Sequence, residues 1–356
     1  MRSNRKLEHI EISLQQRSQR GATGFNDITL VHNSLPELNW EEVDLSCTFL
    51  GQPLKAPLLI NAMTGGHPQL EDINYYLARA AAVSDVAIAV GSQRAALEEA
   101  SARRSFTVVR EAHPQGVVLA NLGADCTLAE AKEAISMIGA NALQLHLNAP
   151  QELAMAEGDR NFRGILENIE ALAKQLKVPV VVKEVGFGMS RESVKRLAEV
   201  GVSYIDIGGA GGTDFMAIEQ SRSGKKLAWN WGIPTAISLL EGLTVSDDIN
   251  IIASGGIEHA LDCVKALSLG CCLIGMARPL LKVLINGSPE QLTSCLEALI
   301  NDMRRIMLML GAKDLLQLKE VPLVISGQTF HWVTQRGISV EHYAQRFRKT
   351  RFTPSL

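Results

Sequence analysis

Residues 143–152 read LQLHLNAPQE. Leu143, Leu145 and Leu147 alternate with Gln144, His146 and Asn148, and the run then passes through Pro150 into Gln151 and Glu152. Period-two alternation puts an amide, an imidazole and a second amide on one face of a β-strand. A purely structural interior would fill those positions with Val or Ile, so their polarity marks the floor of a site. Taken singly, His146 reads as a hydrogen-bonded structural histidine and Glu152 as a helix N-terminal carboxylate facing solvent. A second candidate is Lys183, which ends an all-valine run, VVVK. A buried ammonium has to meet a carboxylate or a ligand anion. Glu184 falls on the opposite strand face, so a ligand is the better partner, with a carboxylate from another strand as the alternative. The third candidate is SGGI at 254–257 followed by GMAR at 275–278. Glycine lets a phosphate approach backbone N–H groups closely, whereas SGG alone also reads as a plain tight turn.

These residues sit at the ends of short apolar runs. The runs are PLLINA (57–62), VAIAVG (86–91), VVLANLG (117–123), LQLHLN (143–148), VPVVVKEVG (178–186), SYIDIGG (203–209), INIIASGG (249–256) and CCLIGMA (271–277). Segments of helical period separate them, and no hairpin turn joins two of them. That alternation predicts parallel strands and an α/β fold, a (β/α)8 TIM barrel in which active-site groups come from the C-terminal strand ends. A doubly wound open sheet is the competitor, disfavoured because no G-x-G-x-x-G follows the first strand. The chain reads as a single domain over 1–356, with an N-terminal extension (1–55), barrel strands (56–278) and C-terminal helices (279–356). Helical patterns cover PEQLTSCLEALINDMRRIMLMLGA and SVEHYAQRFRK in the last part. The segment 210–231 after the sixth strand is long enough to be a lid, or a surface insertion without a role. On adjacent strands, SGGI and GMAR would form the phosphate site common to such barrels. A cationic Lys183 beside the N1–C2=O edge of a flavin would stabilise the anionic reduced ring.

Composition narrows the classes further. The chain has 356 residues, 46% hydrophobic and 21% charged, with a formal net charge of −3. That excludes disorder and argues against a general nucleic-acid binder. The six cysteines lack C-x-x-C pairs and read as reduced core thiols. The charged N-terminal stretch has no signal-peptide pattern and no run is long enough to span a bilayer, so a cytoplasmic protein without membrane contact is expected.

Taken in order, NAMTGG, GSQRAAL, NLGA, LHLN-x-x-QE, EGDRNFRG, VKEVGFGMS, GGAGGT-x-F, WNWGIPT and ASGGI resemble the type 2 isopentenyl-diphosphate isomerases, and the likeness runs from RK at 5–6 to YAQR near the end. The resemblance implies reduced FMN, Mg2+, NADPH as reductant, and interconversion of isopentenyl and dimethylallyl diphosphate for isoprenoid biosynthesis. Carried over, it implies that Ala62, Met63, Thr64 and Gly65 line the flavin, and that Ser92, Asn121, Lys183 and Thr213 contact its ring or ribityl chain. Gly255, Gly256, Ile257, Ala277 and Arg278 would hold its phosphate. Arg5, Lys6, Ser92, Gln93 and Arg94 would grip the substrate diphosphate. Gln151 would reach the hydrocarbon end, and Glu152 would bind Mg2+. It also implies a homotetramer or larger homo-oligomer. The sequence departs from the family at Leu7, where an acidic residue is commoner, and at Ala149-Pro150, in a variable stretch; both bear on fine specificity.

Moving an alkene by one carbon needs a proton placed on one carbon and another removed, with no net redox change. Alkenes are weak bases, so reduced FMN is the expected acid/base, with Gln151 positioning or relaying a proton and His146 and Asn148 tuning the site. Two other flavin or nucleotide readings lack a required group. A 2-hydroxy-acid oxidase or dehydrogenase needs a histidine base and an arginine clamp after the sixth strand, where this chain has GGAGGTDF. A purine-nucleotide dehydrogenase needs a nucleophilic cysteine in a comparable loop. A catalytically silent flavin-binding scaffold is the remaining alternative.

Overall fold

The computed structural model describes residues 8, 11–15, 23–155, 157–224 and 231–346. Eight strands close into a barrel in which every neighbouring pair is parallel. We number them β1 (Leu58–Ile60), β2 (Ala87–Ala89), β3 (Val118–Gly123), β4 (Ala142–Leu147), β5 (Val180–Glu184), β6 (Tyr204–Asp206), β7 (Asn250–Ser254) and β8 (Leu273–Met276). Each falls on one of the eight apolar runs, β4 beginning one residue early, at Ala142. Most ladders are shorter than their runs because the run's last residues turn outward into loops.

Outward-facing side chains such as Leu143, Leu145, Val182 and Ile205 pack with Ala131, Ile169, Val194 and Leu239 of the surrounding helices. Local signals set the helix ends. Thr127 and Glu130 form a capping box on Leu128–Ile138, and Gly139 closes it in the left-handed region. Ser190 caps Arg191–Glu199, and Ser288 with Pro289 opens Pro289–Met309.

Inside the barrel, Leu59, Ala87, Leu119, Ala142, Val181, Ile252 and Leu273 form a second apolar cluster, joined by Phe49 and Leu54. The last two belong to a hairpin, Cys47–Phe49 with Gln52–Leu54, which plugs one mouth of the barrel. Its two-residue turn puts Leu50 and Gly51 at φ 52° and 74°, the backbone shape that matches the twist of a tight hairpin.

The N-terminal extension meets the C-terminal region: Ile28–Leu30 pairs antiparallel with Leu323–Ile325. The C-terminal region is therefore not helical throughout. Of SVEHYAQRFRK, only Glu341–Ala344 is helical among the described residues. The residue after this turn, Gln345, leaves the helix, and the stretch from 347 lies outside the described residues. Beyond the main helices, β2, β4, β6 and β8 are each followed by an extra short helix at the opposite mouth. These are Arg94–Glu98, Ala149–Ala154, Phe215–Ser223 and Arg278–Asn286.

Candidate active site

The four extra helices and the turns after β1, β5, β6 and β7 surround a cleft of about 1120 Å³ over the unplugged mouth. Its floor begins in the barrel. Gly123, His146, Lys183 and Asp206 occupy one row of partners across β3 to β6. The inward residues one pleat above the apolar layer are polar: Asn61, Asn121, Gln144, Lys183, Asp206 and Ser254 are all buried. All but Lys183 hydrogen-bond one another, which is what makes their burial tolerable. Asp206 accepts from Asn61 Nδ2 at 2.6 Å, from the Ser254 hydroxyl and from Gly208 N–H at 3.2 Å.

Lys183 projects inward as its strand phase requires, and Nζ donates to the Glu184 carbonyl at 2.6 Å. Glu184 points outward, where one carboxylate oxygen accepts from the backbone N–H groups of Gly186, Phe187 and Gly188. Burial pushes its carboxyl up to about 7, against the opposing pull of those donors and of Lys183. Glu184 thereby ties down the loop that brings Val185 and Gly186 to the cleft.

Glycines shape one side of the cleft. Gly255 and Gly256 have φ of 106° and 72°. A Cβ on Gly255 would lie 2.0 Å from the Gly209 carbonyl oxygen, and one on Gly256 would lie 2.4 Å from that of Gly211. The turns after β6 and β7 are thus packed backbone to backbone. Beside them the helix Arg278–Asn286 presents its N-terminal turn, with Ala277 and Arg278 on the cleft wall. Backbone donors, a helix N-terminus and a buried arginine make a cradle that fits a phosphate group. Arg278 is itself steadied by Glu258 at 3.4 Å. Ala62, Met63, Ser92, Lys183 and Thr213 continue the wall from the cradle over the polar floor, and this shape fits an extended phosphate-bearing group such as FMN.

The other side carries the acid and amide groups. Asn148 follows β4 and precedes the short helix Ala149–Ala154, which has Pro150 in its first turn and presents Gln151 and Glu152. One Glu152 oxygen accepts from Asn148 Nδ2 at 2.7 Å and the other from Asp159 N–H at 2.9 Å. Each oxygen keeps a second lone pair, enough for a cation completed by phosphate oxygens and water. Among the described residues no cluster of three or more His, Cys, Asp and Glu is arranged to hold a metal. Gln151 Nε2 donates to Glu219 Oε1 at 3.1 Å. Glu219 pairs with Arg222, whose Nε also meets Glu8 at 3.1 Å. Ser13, from the N-terminal segment, lines the cleft as well. Arg5 and Lys6 lie outside the described residues. The helix Phe215–Ser223, capped by Asp214, occupies part of the 210–231 segment and puts Phe215 and Arg222 at the cleft.

Not every expected residue reaches the cleft surface. Thr64 hydrogen-bonds Asn74, and Gly65 lies against the Phe106 ring so closely that a Cβ would overlap it. Asn121 lies under His146. Gln93 was expected on the diphosphate, but its side chain is wholly buried and turned away. Its amide accepts from Asn121 N–H at 3.0 Å and donates to the Ala134 carbonyl at 3.0 Å. Arg94 does face the cleft, held by Asp125 at 2.9 Å and by Glu130. Asp206, Glu219 and Arg222 were not anticipated. For Asp206 the signal was available, since a carboxylate at an inward position of SYIDIGG matches His146 in LQLHLN.

Comparison with known proteins agrees with this geometry. The family model described as FMN-dependent dehydrogenase matches residues 147–324, the stretch that contains the glycine cradle. A curated isopentenyl-diphosphate delta-isomerase from a Geobacillus species is 47% identical over 349 residues, covering 97% of this chain and 99% of the relative. One from Moorella thermoacetica is 47% identical, covering 94% and 97%. The chain belongs to the type 2, FMN-dependent isopentenyl-diphosphate delta-isomerase family. Solved structures extend the fold comparison beyond the isomerase family. A lactate oxidase from Pediococcus acidilactici superposes with a TM-score of 0.68 at 18% identity, covering 89% of this chain and 87% of that one. A flavocytochrome b2 variant gives 0.67 at 20% identity, covering 94% and 88%. At that identity the likeness is one of fold.

Proposed function

We propose that the chain interconverts isopentenyl and dimethylallyl diphosphate by a 1,3-proton shift, with Mg2+ on the diphosphate and NADPH as the reductant that readies the flavin. The observation that carries this reading is the near full-length likeness to curated isomerases. Bound reduced FMN would supply a proton donor at N5 and an electron-rich face for developing positive charge.

The residues divide the remaining work. Gly255, Gly256, Ile257, Ala277 and Arg278 hold the cofactor phosphate. Ala62, Met63, Ser92, Lys183 and Thr213 hold the ring and ribityl chain, with Thr64, Gly65 and Asn121 supporting them from beneath. Ser92 and Arg94, with Arg5 and Lys6 of the N-terminal arm, grip the diphosphate. Glu152 binds Mg2+, one carboxylate being enough when phosphate oxygens and water complete the shell. Gln151 meets the hydrocarbon end and positions or relays the second proton, while His146 and Asn148 tune the site from the strand. The segment around Phe215–Ser223 serves as a lid. The protein works in the cytoplasm as a homotetramer or larger; no described helix is long and apolar enough to cross a membrane.

The FMN-dependent dehydrogenase match supports a second reading, oxidation of a 2-hydroxy acid. Purified protein with FMN, Mg2+ and reductant under anaerobic conditions separates the two. Equilibration of the two five-carbon diphosphates supports the isomerase. Flavin reduction by a 2-hydroxy acid, with no isomerisation, overturns it.

A further inference from the structure

The polar floor contains a hydrogen-bond chain whose direction is forced. It starts at a group whose role cannot change, the Ala62 backbone N–H, which can only donate, and it runs to Asp206, on which three donors converge. Ala62 N–H donates to Asn61 Oδ1 at 2.8 Å, and Asn61 Nδ2 donates to Asp206, so the Asn61 amide is oriented from both ends. Gln144 meets Asn61 Oδ1 at 3.2 Å and must therefore present Nε2, which turns Oε1 toward Asn121. Asn121 must answer with Nδ2, at 2.8 Å, leaving Oδ1 for His146 Nδ1 at 3.0 Å. An amide oxygen is an acceptor only, so His146 Nδ1 carries a proton. In the neutral ring Nε2 is then the nitrogen with the lone pair. It lies on the cleft side: a Cβ on the cleft-lining Gly123 would lie 3.7 Å from it.

We infer that the chain Asp206–Asn61–Gln144–Asn121 exists to hold His146 in the Nδ1–H tautomer, so that Nε2 is the nitrogen that exchanges protons or hydrogen bonds with whatever occupies the cleft. Asp206, Asn61, Gln144 and Asn121 are positioning residues, four links that reach across the lumen from β6 to β4. Gly275 belongs to the device by leaving room, since a Cβ there would lie 2.6 Å from Asn61 Nδ2. Burial makes the direction durable: Gln144 and Asp206 are 0% exposed and Asn61 and Asn121 are 2% exposed, so water does not compete for the amides. The inference deepens the proposed function, because it says how His146 is presented to a ligand in that site. The tautomer itself does not depend on which ligand that is.

The test is 15N NMR of ring nitrogens in the FMN-loaded protein, with His146 assigned by the signal lost in His146→Asn. Wild type is expected to show Nδ1 protonated and Nε2 unprotonated when the ring is neutral. Gln144→Met breaks the middle link, lets the Asn121 amide turn over, and should give a mixture of tautomers. Isomerase kcat/KM should then fall about tenfold, the lower end of what outer hydrogen-bond partners usually carry. Gln144→Glu still accepts from Asn121 and should keep the wild-type tautomer, which separates direction from mere packing. An Nε2–H tautomer in wild type overturns the inference, as does a Gln144→Met spectrum identical to wild type. If the tautomer behaves as expected but no variant, wild type included, isomerises the diphosphates, the inference stands and the proposed function fails.

Discussion

The two halves of the barrel lumen are built from the same strands and do opposite work. Leu59 and Asn61, Leu119 and Asn121, Val181 and Lys183, and Ile252 and Ser254 are neighbours on one face of one strand, a single pleat apart. The first of each pair joins the apolar cluster closed by Phe49 and Leu54. The second is polar and belongs to the cleft floor. The boundary teaches where a barrel of this kind can afford chemistry. Apolar burial below supplies stability that a polar layer cannot, and the polar layer is satisfied internally, so it adds function without leaving orphaned groups.

The division can be broken from either side. The largest effect is expected at the upper rim. Gln151→Ala should lower turnover by about 100-fold or more, in the range of a lost proton-transfer partner, while the melting temperature stays near wild type. A Gln151→Ala protein with full kcat removes this residue from the reaction. Below the boundary the pattern should invert. Leu119→Ala should cost about 3 kcal/mol in urea unfolding, the usual range for a buried leucine, with kcat/KM of the folded protein little changed. A large kinetic defect there would mean that the layers are not separable. Gly255→Ala forces a Cβ toward the Gly209 oxygen at a positive φ, and should weaken FMN binding about tenfold or more, read by flavin fluorescence.

The smallest effect concerns Glu184, on the outward face of β5. Its folded carboxyl is raised from 4.5 to about 7, so between those values the native state binds more protons than the unfolded chain. Stability should therefore fall as pH rises from about 4.5 to about 7, and the loss should be complete above that. A glutamine amide oxygen at this position could still accept from the same N–H groups. Glu184→Gln should thus flatten the pH dependence of the melting temperature in that window. An unchanged pH profile would place the titration elsewhere.

The barrel was legible because each strand is an apolar run long enough to count, and period two in LQLHLN gave the inward direction of Gln144 and His146 correctly. SGGI and GMAR likewise come together at one cradle. What escaped was what depends on partners distant in sequence. Gln93 stands between Ser92 and Arg94, and nothing local says that it turns to Ala134 and Asn121 instead of the cleft. The inward phase of Asp206 was readable in SYIDIGG, but its partners Asn61 and Ser254 arrive from β1 and β7. Glu219 and Arg222 gain meaning only from Gln151 and Glu8, which approach from other parts of the chain. The pairing of Ile28–Leu30 with Leu323–Ile325 joins two short segments, each too brief to announce a strand.

One stoichiometry bears most directly on the central claim, that this site moves protons without net electron transfer. Purified protein is incubated anaerobically with FMN, Mg2+, isopentenyl diphosphate and NADPH, and dimethylallyl diphosphate and NADPH are measured together. Isomerisation should give many molecules of product for each NADPH consumed, with reductant needed only to prepare the flavin. One NADPH consumed per product formed would contradict it.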